Sequence, residues 1–127
     1  MDDLRAGPKS FLVRNRSRGT TVADRVRLAD TSRARRTGLL GLAALEPGKG
    51  LWIVPTQAIH TFWMRFPIDV VFLDRHWRVR RVYHRLAPFR VTPPVVAARS
   101  VLELPAGMLQ STGTAVGDEL QFSLQED

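Results

Sequence analysis

The fold of this chain is decided by residues 60–74, HTFWMRFPIDVVFLD, which combine its densest aromatic and sulfur content with a proline corner. Proline cannot donate to a strand ladder and restricts the residue before it, so the chain bends at Pro67. Alternation before the bend predicts a strand over 59–65, and the apolar run after it predicts a buried strand over 69–73. We expect these two strands to lie side by side at the centre of a β body.

Short apolar segments, bounded by glycine, proline and polar turns, extend in both directions from this stretch. In the hairpin 69–86 the arginine alternation changes phase at Arg80-Arg81, which predicts a bulge. Asp30-Thr31-Ser32 supplies capping oxygens for a helix of two or three turns ending near Leu45, and a single helical turn is predicted over 105–110. The further strands are predicted at 10–16, 21–29, 51–54, 77–86, 100–104 and 119–124.

Many short strands without helical crossovers predict a mainly β (β-rich α+β) fold. Its simplest forms are two packed antiparallel sheets or a partly open barrel, with one short helix. A chain of 127 residues suits a single domain. We assign residues 10–127 to that β-rich domain and residues 1–9 to a flexible N-terminus.

Composition narrows the classes of protein that the chain can represent. Hydrophobic residues make up 44% and charged residues 24%, which is typical of a soluble globular protein. Cysteine is absent, which excludes disulfides, thiolate zinc sites, iron–sulfur ligation and a cysteine nucleophile. No apolar run is long enough to span a bilayer and no leader is visible, so a cytoplasmic location is expected.

The formal net charge of +7 comes almost entirely from arginine. Such a field attracts nucleic acid or another polyanion through Coulomb steering. The alternative is that the arginines form the solvated face of several strands. If the chain binds nucleic acid, its arginines are expected to lie on one face of the domain.

The sequence resembles a family of bacterial and archaeal proteins called domain of unknown function 192, over about residues 22–122. The resemblance implies a compact β-rich domain, implies no activity, and extends to relatives that look exported. The residues that carry it are Arg36-Thr37-Gly38-Leu39-Leu40, Gly50-Leu51-Trp52-Ile53, Phe62-Trp63-Met64-Arg65, Pro67-Ile68-Asp69, Phe72-Leu73-Asp74, Glu103-Leu104-Pro105-Ala106-Gly107 and Gly117-Asp118.

Two acids stand among apolar neighbours and are the candidates for chemistry. Asp69 lies between Ile68 and Val70, where a carboxylate must be paired or hydrogen-bonded. It either accepts backbone amides near the proline corner, pairs with Arg65, or acts as an acid or base in a cleft. Glu103 either faces water or an arginine, or converges with Asp69 into a carboxylate pair that hydrolyses glycosidic bonds.

Aromatic side chains provide the candidates for ligand binding. Strand alternation places His60 and Phe62 on one face and Trp63 and Arg65 on the other. The aromatic rings either belong to the core or line a groove where a sugar ring or flat ligand stacks, with Arg65 as an anion anchor. The three histidines have no metal-ligand spacing, and no phosphate loop or nucleophile motif is present, so no metal or cofactor is expected.

Three hypotheses of function follow from these residues. The first is a non-catalytic accessory module that binds a small ligand, saccharide or polymer. The second is a hydrolase using the acid pair, and the third is a nucleic-acid-binding domain that uses surface arginines. The expected ligand-binding cleft of the first hypothesis is formed by His60, Phe62, Trp63, Arg65, Asp69 and Glu103.

Overall fold

The computed structural model describes residues 10–125, which form seven strands and two short helices. The N-terminal segment 1–9, predicted to be flexible, lies outside the described residues. The strands are β1 (Ser10–Asn15), β2 (Thr20–Ala29), β3 (Lys49–Ile53), β4 (Ile68–Leu73), β5 (Val79–Leu86), β6 (Ser100–Pro105) and β7 (Leu120–Gln125). The helices are α1 (Ser32–Thr37) and α2 (Met108–Thr112).

The strands form one mixed sheet in the order β5-β4-β6-β3-β2-β1-β7. All neighbours are antiparallel except β2 and β3, which are parallel and are connected through α1. The edge strands approach each other at an isolated bridge between Arg78 and Glu119, without a continuous ladder. The mainly β prediction is therefore confirmed in its partly open barrel form, and the alternative of two packed antiparallel sheets is wrong.

Apolar side chains cover both faces of the central strands. β4 and β6 are buried at every position, as expected for strands with a core on either side. The inner core, inside the curled sheet, includes buried residues from all seven strands, with Leu109 of α2. The outer core includes Leu51, Val70 and Val101, and is covered by Leu39 and Met64 from the connecting segments.

Helix α1 is shorter than predicted. Thr31 caps it as expected, because its Oγ1 accepts from the Ala34 amide at 3.0 Å. It ends at Thr37 because Gly38 takes a φ of 50°, a conformation that glycine adopts without steric cost. The chain after the helix then lies on the outer core, where Leu39 is buried.

The strand predicted over 59–65 does not form. Its residues make an irregular loop with an isolated bridge between His60 and Val91. Trp63 has a left-handed φ of 68°, which lies outside the extended region that regular strands occupy. The half of the central prediction that concerns β4 is confirmed, since that strand lies between β5 and β6 and is fully buried.

Candidate functional site

A cavity of about 340 Å³ opens on the outer side of the sheet, between α1 with the turn after it and the loop after β3. Its size falls in the range of small-molecule sites, roughly 300–1,000 Å³. The polar side chains of Arg35, Thr37 and His60 line the cavity and are partly or fully exposed. The carboxyl group of Glu103 also lines it and belongs to a buried residue. The apolar wall is formed by Leu39, Leu40, Ile53, Ile59 and Met64.

Strand register explains why an acid faces this cavity. Glu103 on β6 lies opposite Leu51 on β3 and Val70 on β4, both members of the outer core. Directly opposite residues of antiparallel strands share a face, so Glu103 also points to the outer side. It is only 4% exposed.

No side chain that the structure describes, a set that excludes the side chain of Arg36, hydrogen-bonds to the carboxyl group of Glu103. Glu103 lines the cavity, and its oxygens are not among the fully enclosed, unpartnered side-chain atoms of the described residues, which are Ser10 Oγ and Trp52 Nε1. Burial raises the pKa of Glu103 to about 8. At neutral pH the group is therefore mostly a neutral acid, with one O–H donor and a carbonyl acceptor.

Two basic side chains lie at the rim. The guanidinium of Arg35 donates to the backbone oxygens of Asp30 and Val54, at 3.0 and 3.3 Å, and to Ser32 Oγ. These contacts fix the arginine in place and connect α1 to the end of β3. At the other side, His60 Nδ1 accepts from the Phe62 amide at 3.3 Å, which leaves Nε2 without a partner among the described residues.

An exposed aromatic surface extends from His60 away from the cavity; we call it the aromatic rim, made of His60, Phe62, Trp63 and Phe89. The rings of His60 and Phe62 stack at a centroid distance of 5.2 Å. Phe89 contacts Phe62 at 6.4 Å and Trp63, edge to face, at 5.4 Å. Trp63 is 73% exposed and Phe89 is 53% exposed, so both present large apolar areas to solvent.

Thr61 holds this rim in place. Its Oγ1 donates to the Ala87 carbonyl at 2.7 Å and accepts from the Arg90 amide at 2.9 Å. Its backbone carbonyl accepts from the amide of Phe89. Trp63 and Phe89 both adopt positive φ, 68° and 63°, at a cost of about 1 kcal/mol or more each. The fully buried Thr61 offsets that strain by tying the two loops together.

Asp69 is a structural anchor. Its Oδ1 accepts from the Arg85 amide at 2.9 Å, and its Oδ2 accepts from the amides of Gly107 and Leu109 at 3.1 and 2.9 Å. The interpretation of Asp69 as an acceptor of amide hydrogens is confirmed, although the amides come from β5 and the start of α2 rather than from the Pro67 corner. Its pairing with Arg65 does not occur.

The predicted cleft is only partly assembled. Asp69 lies opposite Leu104, so it points to the inner side of the sheet while Glu103 points to the outer side. The predicted carboxylate pair therefore has no common cleft. Arg65 is exposed and does not line the cavity, whereas His60 and Glu103 do. Phe62 and Trp63 lie outside the cavity, on the aromatic rim.

The arginines are spread over the domain and many are held locally. Arg14 donates to Thr21 in the first hairpin, Arg18 pairs with Asp118 at 3.1 Å, and Arg81 lies over the ring of Tyr83. This distribution counts against one continuous nucleic-acid face. Within residues 10–125, no group of three histidine or acidic side chains is placed to hold a metal ion. No helix of that region has the length and apolar character needed to cross a membrane.

The family described as "Uncharacterized ACR", domain of unknown function 192 (DUF192), matches residues 13–122. The chain belongs to the DUF192 family. This match confirms the resemblance to the family that the sequence motifs indicated. Similar proteins include a UPF0127 protein of Pyrococcus horikoshii, 33% identical over 117 residues that cover 87% of this chain and 98% of that one. A UPF0127 protein of Thermococcus sibiricus is 31% identical over 121 residues, 89% of this chain and 75% of that one.

Two solved structures share the fold of this DUF192 member. A protein of unknown function from Novosphingobium aromaticivorans superposes with a TM-score of 0.76 at 22% identity, covering 87% of this chain and 82% of that one. A putative transcription regulator from Sinorhizobium meliloti gives a TM-score of 0.73 at 23% identity, covering 92% and 95%. At these identities the likeness establishes the fold.

Proposed function

We propose that this domain is a non-catalytic module that binds a small uncharged ligand rich in hydroxyl groups, a saccharide, in the cavity above Glu103. The observation that carries the proposal is Glu103, which lines the cavity, is 4% exposed and has no hydrogen-bond partner among the side chains that the structure describes. An unpaired buried polar group costs roughly 1–3 kcal/mol, and a ligand that hydrogen-bonds to it recovers this.

The state of Glu103 favours an uncharged ligand. Since burial raises its pKa to about 8, the group is mostly protonated at neutral pH. A neutral carboxylic acid donates one hydrogen bond and accepts another, which matches a sugar hydroxyl that does both. The apolar wall, including Ile53, Ile59 and Met64, then packs against the C–H faces of the ring.

The aromatic rim supports a ligand longer than one sugar. His60 belongs both to the cavity lining and to the stacked rings, so the two surfaces are continuous. Trp63 presents a broad exposed face at the other end of this row of rings, and aromatic rings combine large contact area with a defined stacking geometry. One unit in the cavity and a second on Trp63 is the arrangement we expect.

A binding role is favoured over hydrolysis because the residues described around the cavity supply a single carboxyl group. Glycoside hydrolysis ordinarily uses two carboxyl groups about 5–10 Å apart across the scissile bond. Among the described residues, Glu103 is the one acid that lines the cavity, and Asp69 is committed to three backbone amides on the other side of the sheet. Turnover of a bound sugar would overturn the non-catalytic part of the proposal.

The test is a titration of the protein with mono- and oligosaccharides, followed by amide NMR shifts and calorimetry. A ligand that contacts Glu103 as a neutral acid binds below about pH 8 and is lost above it, because the group ionises. Glu103→Gln keeps a donor and an acceptor, so binding persists and becomes independent of pH. Glu103→Leu removes both, so binding falls at least about tenfold.

Controls separate the cavity from the rest of the molecule. Of the side chains that the structure describes, Arg35 and His60 are the other ionisable ones that line the cavity, so His60→Gln shows whether histidine contributes to the pH profile. Leu124→Ala, an exposed apolar position on β7, is the matched control for Trp63→Ala. Trp63→Ala is expected to weaken the binding of oligosaccharides more than the binding of monosaccharides. Equal affinity of wild type and Glu103→Leu for every sugar that binds would refute the proposal.

A further inference from the structure

A second cleft surrounds Trp77, in the turn between β4 and β5. Asp74 shapes this turn, because its Oδ1 accepts from the amides of His76 and Arg78 at 2.8 and 3.1 Å. Trp77 takes a φ of 68° and its ring packs on Trp52 at a centroid distance of 5.5 Å. The indole is still 40% exposed, so one side of it faces solvent.

Two adjoining cavities, of about 380 and 630 Å³, flank this ring. Asp74, Arg75 and Trp77 line both. The smaller cavity also includes Trp52 and Arg99, and the larger one has only charged or aromatic residues around it. A flat group can therefore reach Trp77 from solvent with basic side chains close on both sides.

The charge of this cleft is positive. Asp74 is compensated by Arg80, whose Nη1 lies 3.3 Å from its Oδ2, and Glu119 is paired with Arg16 at 3.7 Å. Arg75 and Arg99 have no carboxylate within 4.0 Å in the part of the chain that the structure describes. Two uncompensated guanidinium groups near one aromatic ring favour an anion with bidentate acceptors.

A missing hydrogen bond lies at the same place. Trp52 Nε1 is buried and has no acceptor among residues 10–125, although Trp52 forms part of the smaller cavity. A buried donor without a partner costs roughly 1–3 kcal/mol, so it is rare in a finished core. Because this nitrogen is fully enclosed, a ligand in the cavity does not contact it, and Trp52 senses the cleft through its ring, which packs on Trp77.

We propose that this cleft binds a nucleoside phosphate, with the base on Trp77 and the phosphate between Arg75 and Arg99. The site is independent of the Glu103 cavity. Trp52 lies opposite Leu102 of the inner core, whereas Glu103 points to the outer side of the sheet. The same chemistry is offered by a free nucleotide and by one unit of a single-stranded nucleic acid, whose bases also stack on aromatic rings.

The test follows the indole N–H resonances of Trp52 and Trp77 while AMP, adenosine, inorganic phosphate or a hexathymidylate strand is added. AMP is expected to shift both signals, and adenosine and phosphate to bind at least about tenfold more weakly, since each offers half of the contacts. A hexathymidylate affinity far above that of AMP would identify the nucleic acid as the source, and an equal affinity would identify the free nucleotide.

Variants decide whether the cleft is responsible. Arg75→Gln and Arg99→Gln change exposed positions. Each is expected to weaken the binding of AMP about tenfold, because one charge-assisted hydrogen bond is lost. Arg27→Gln, on exposed β2 surface, removes the same charge elsewhere and is expected to bind normally. Unmoved indole signals with millimolar AMP, or the same weakening in all three variants, would overturn the proposal.

Discussion

Replacing Glu103 by glutamine is predicted to stabilise the protein, by an amount that grows with pH. The side chain is buried in the outer core without a hydrogen-bond partner among the described residues, and burial raises its pKa from 4.5 to about 8. Between these values the folded protein keeps the proton and the unfolded chain releases it. The free energy of unfolding therefore falls as pH rises through this window.

The size of the effect follows from the shift. Each pH unit within the window costs about 1.4 kcal/mol, so wild type loses about 3 kcal/mol between pH 4.5 and 7. The loss reaches roughly 5 kcal/mol above pH 8, where the folded state ionises as well and the slope ends. Glutamine is neutral at every pH and has no such dependence. The stability difference between Glu103→Gln and wild type is thus expected to rise with pH and then level off.

Urea unfolding of both proteins at a series of pH values between about 5 and 9 measures this difference. Subtraction removes the contribution of every other titrating group, because the two proteins share them. Glu119→Gln, at a partly exposed carboxyl, is the matched control and is expected to keep the wild-type profile. A stability difference that stays constant from pH 5 to 9 would show that Glu103 ionises normally in the folded state, and would refute the reasoning.

Further predictions concern the residues that hold the site and the fold. Thr61→Val leaves the Ala87 carbonyl and the Arg90 amide without their partner, so about 2–4 kcal/mol of stability should be lost in urea melts. Unchanged NMR signals of Trp63 in that variant would contradict the role of Thr61 in holding the rim. Asp69→Asn cannot accept three amides with one oxygen and is expected to cost about 2–4 kcal/mol while saccharide binding is retained; a loss of binding with intact stability would return Asp69 to the site. Burial by itself raises the pKa of Asp118, but hydrogen bonds from Asn15, the Ala115 amide and Arg18 hold it below its ordinary 3.8. Its stabilisation is therefore complete above about pH 4 and is lost as pH falls further, so Asp118→Asn should flatten the acid limb of the stability profile.

Local sequence was sufficient for most strands. The alternation and turn residues that bound β1, β2 and β7 depend only on neighbours in the chain, and the predicted ranges agree with the observed ones within about two residues. The predicted bulge near Arg80 is also present, since Phe72 pairs with Arg81 and Leu73 with Val79. The parallel pairing of β2 with β3 is set by contacts between distant parts of the chain, and no local pattern encodes it.

The segment 59–65 shows where local pattern fails. Its aromatic and β-branched residues favour a strand, but Thr61 forms hydrogen bonds with the 87–90 loop that a strand at this place cannot make. These nonlocal bonds outweigh the strand preference and hold Trp63 in a left-handed conformation. Propensities of this kind are worth about 1 kcal/mol at most, so a few buried hydrogen bonds are enough to override them.

The sequence identified some residues of the candidate site and missed others. His60 and Glu103 could be singled out because each stands beside apolar or aromatic residues. Whether Asp69 and Glu103 meet depends on the register of β4 against β6, where Asp69 faces Leu104, and a shift of one residue would reverse the answer. Arg35 and the residues after α1 were missed, because only the tertiary fold brings this segment over Glu103.

The central claim is that Glu103 is a neutral acid at the floor of an open cavity. Its most direct test is the ¹³C NMR shift of the Glu103 side-chain carboxyl, followed from about pH 3 to about pH 10 in the free protein. We predict a single titration with a midpoint near 8, which Glu103→Gln removes. A midpoint near 4.5, the ordinary value for glutamate, would contradict the account.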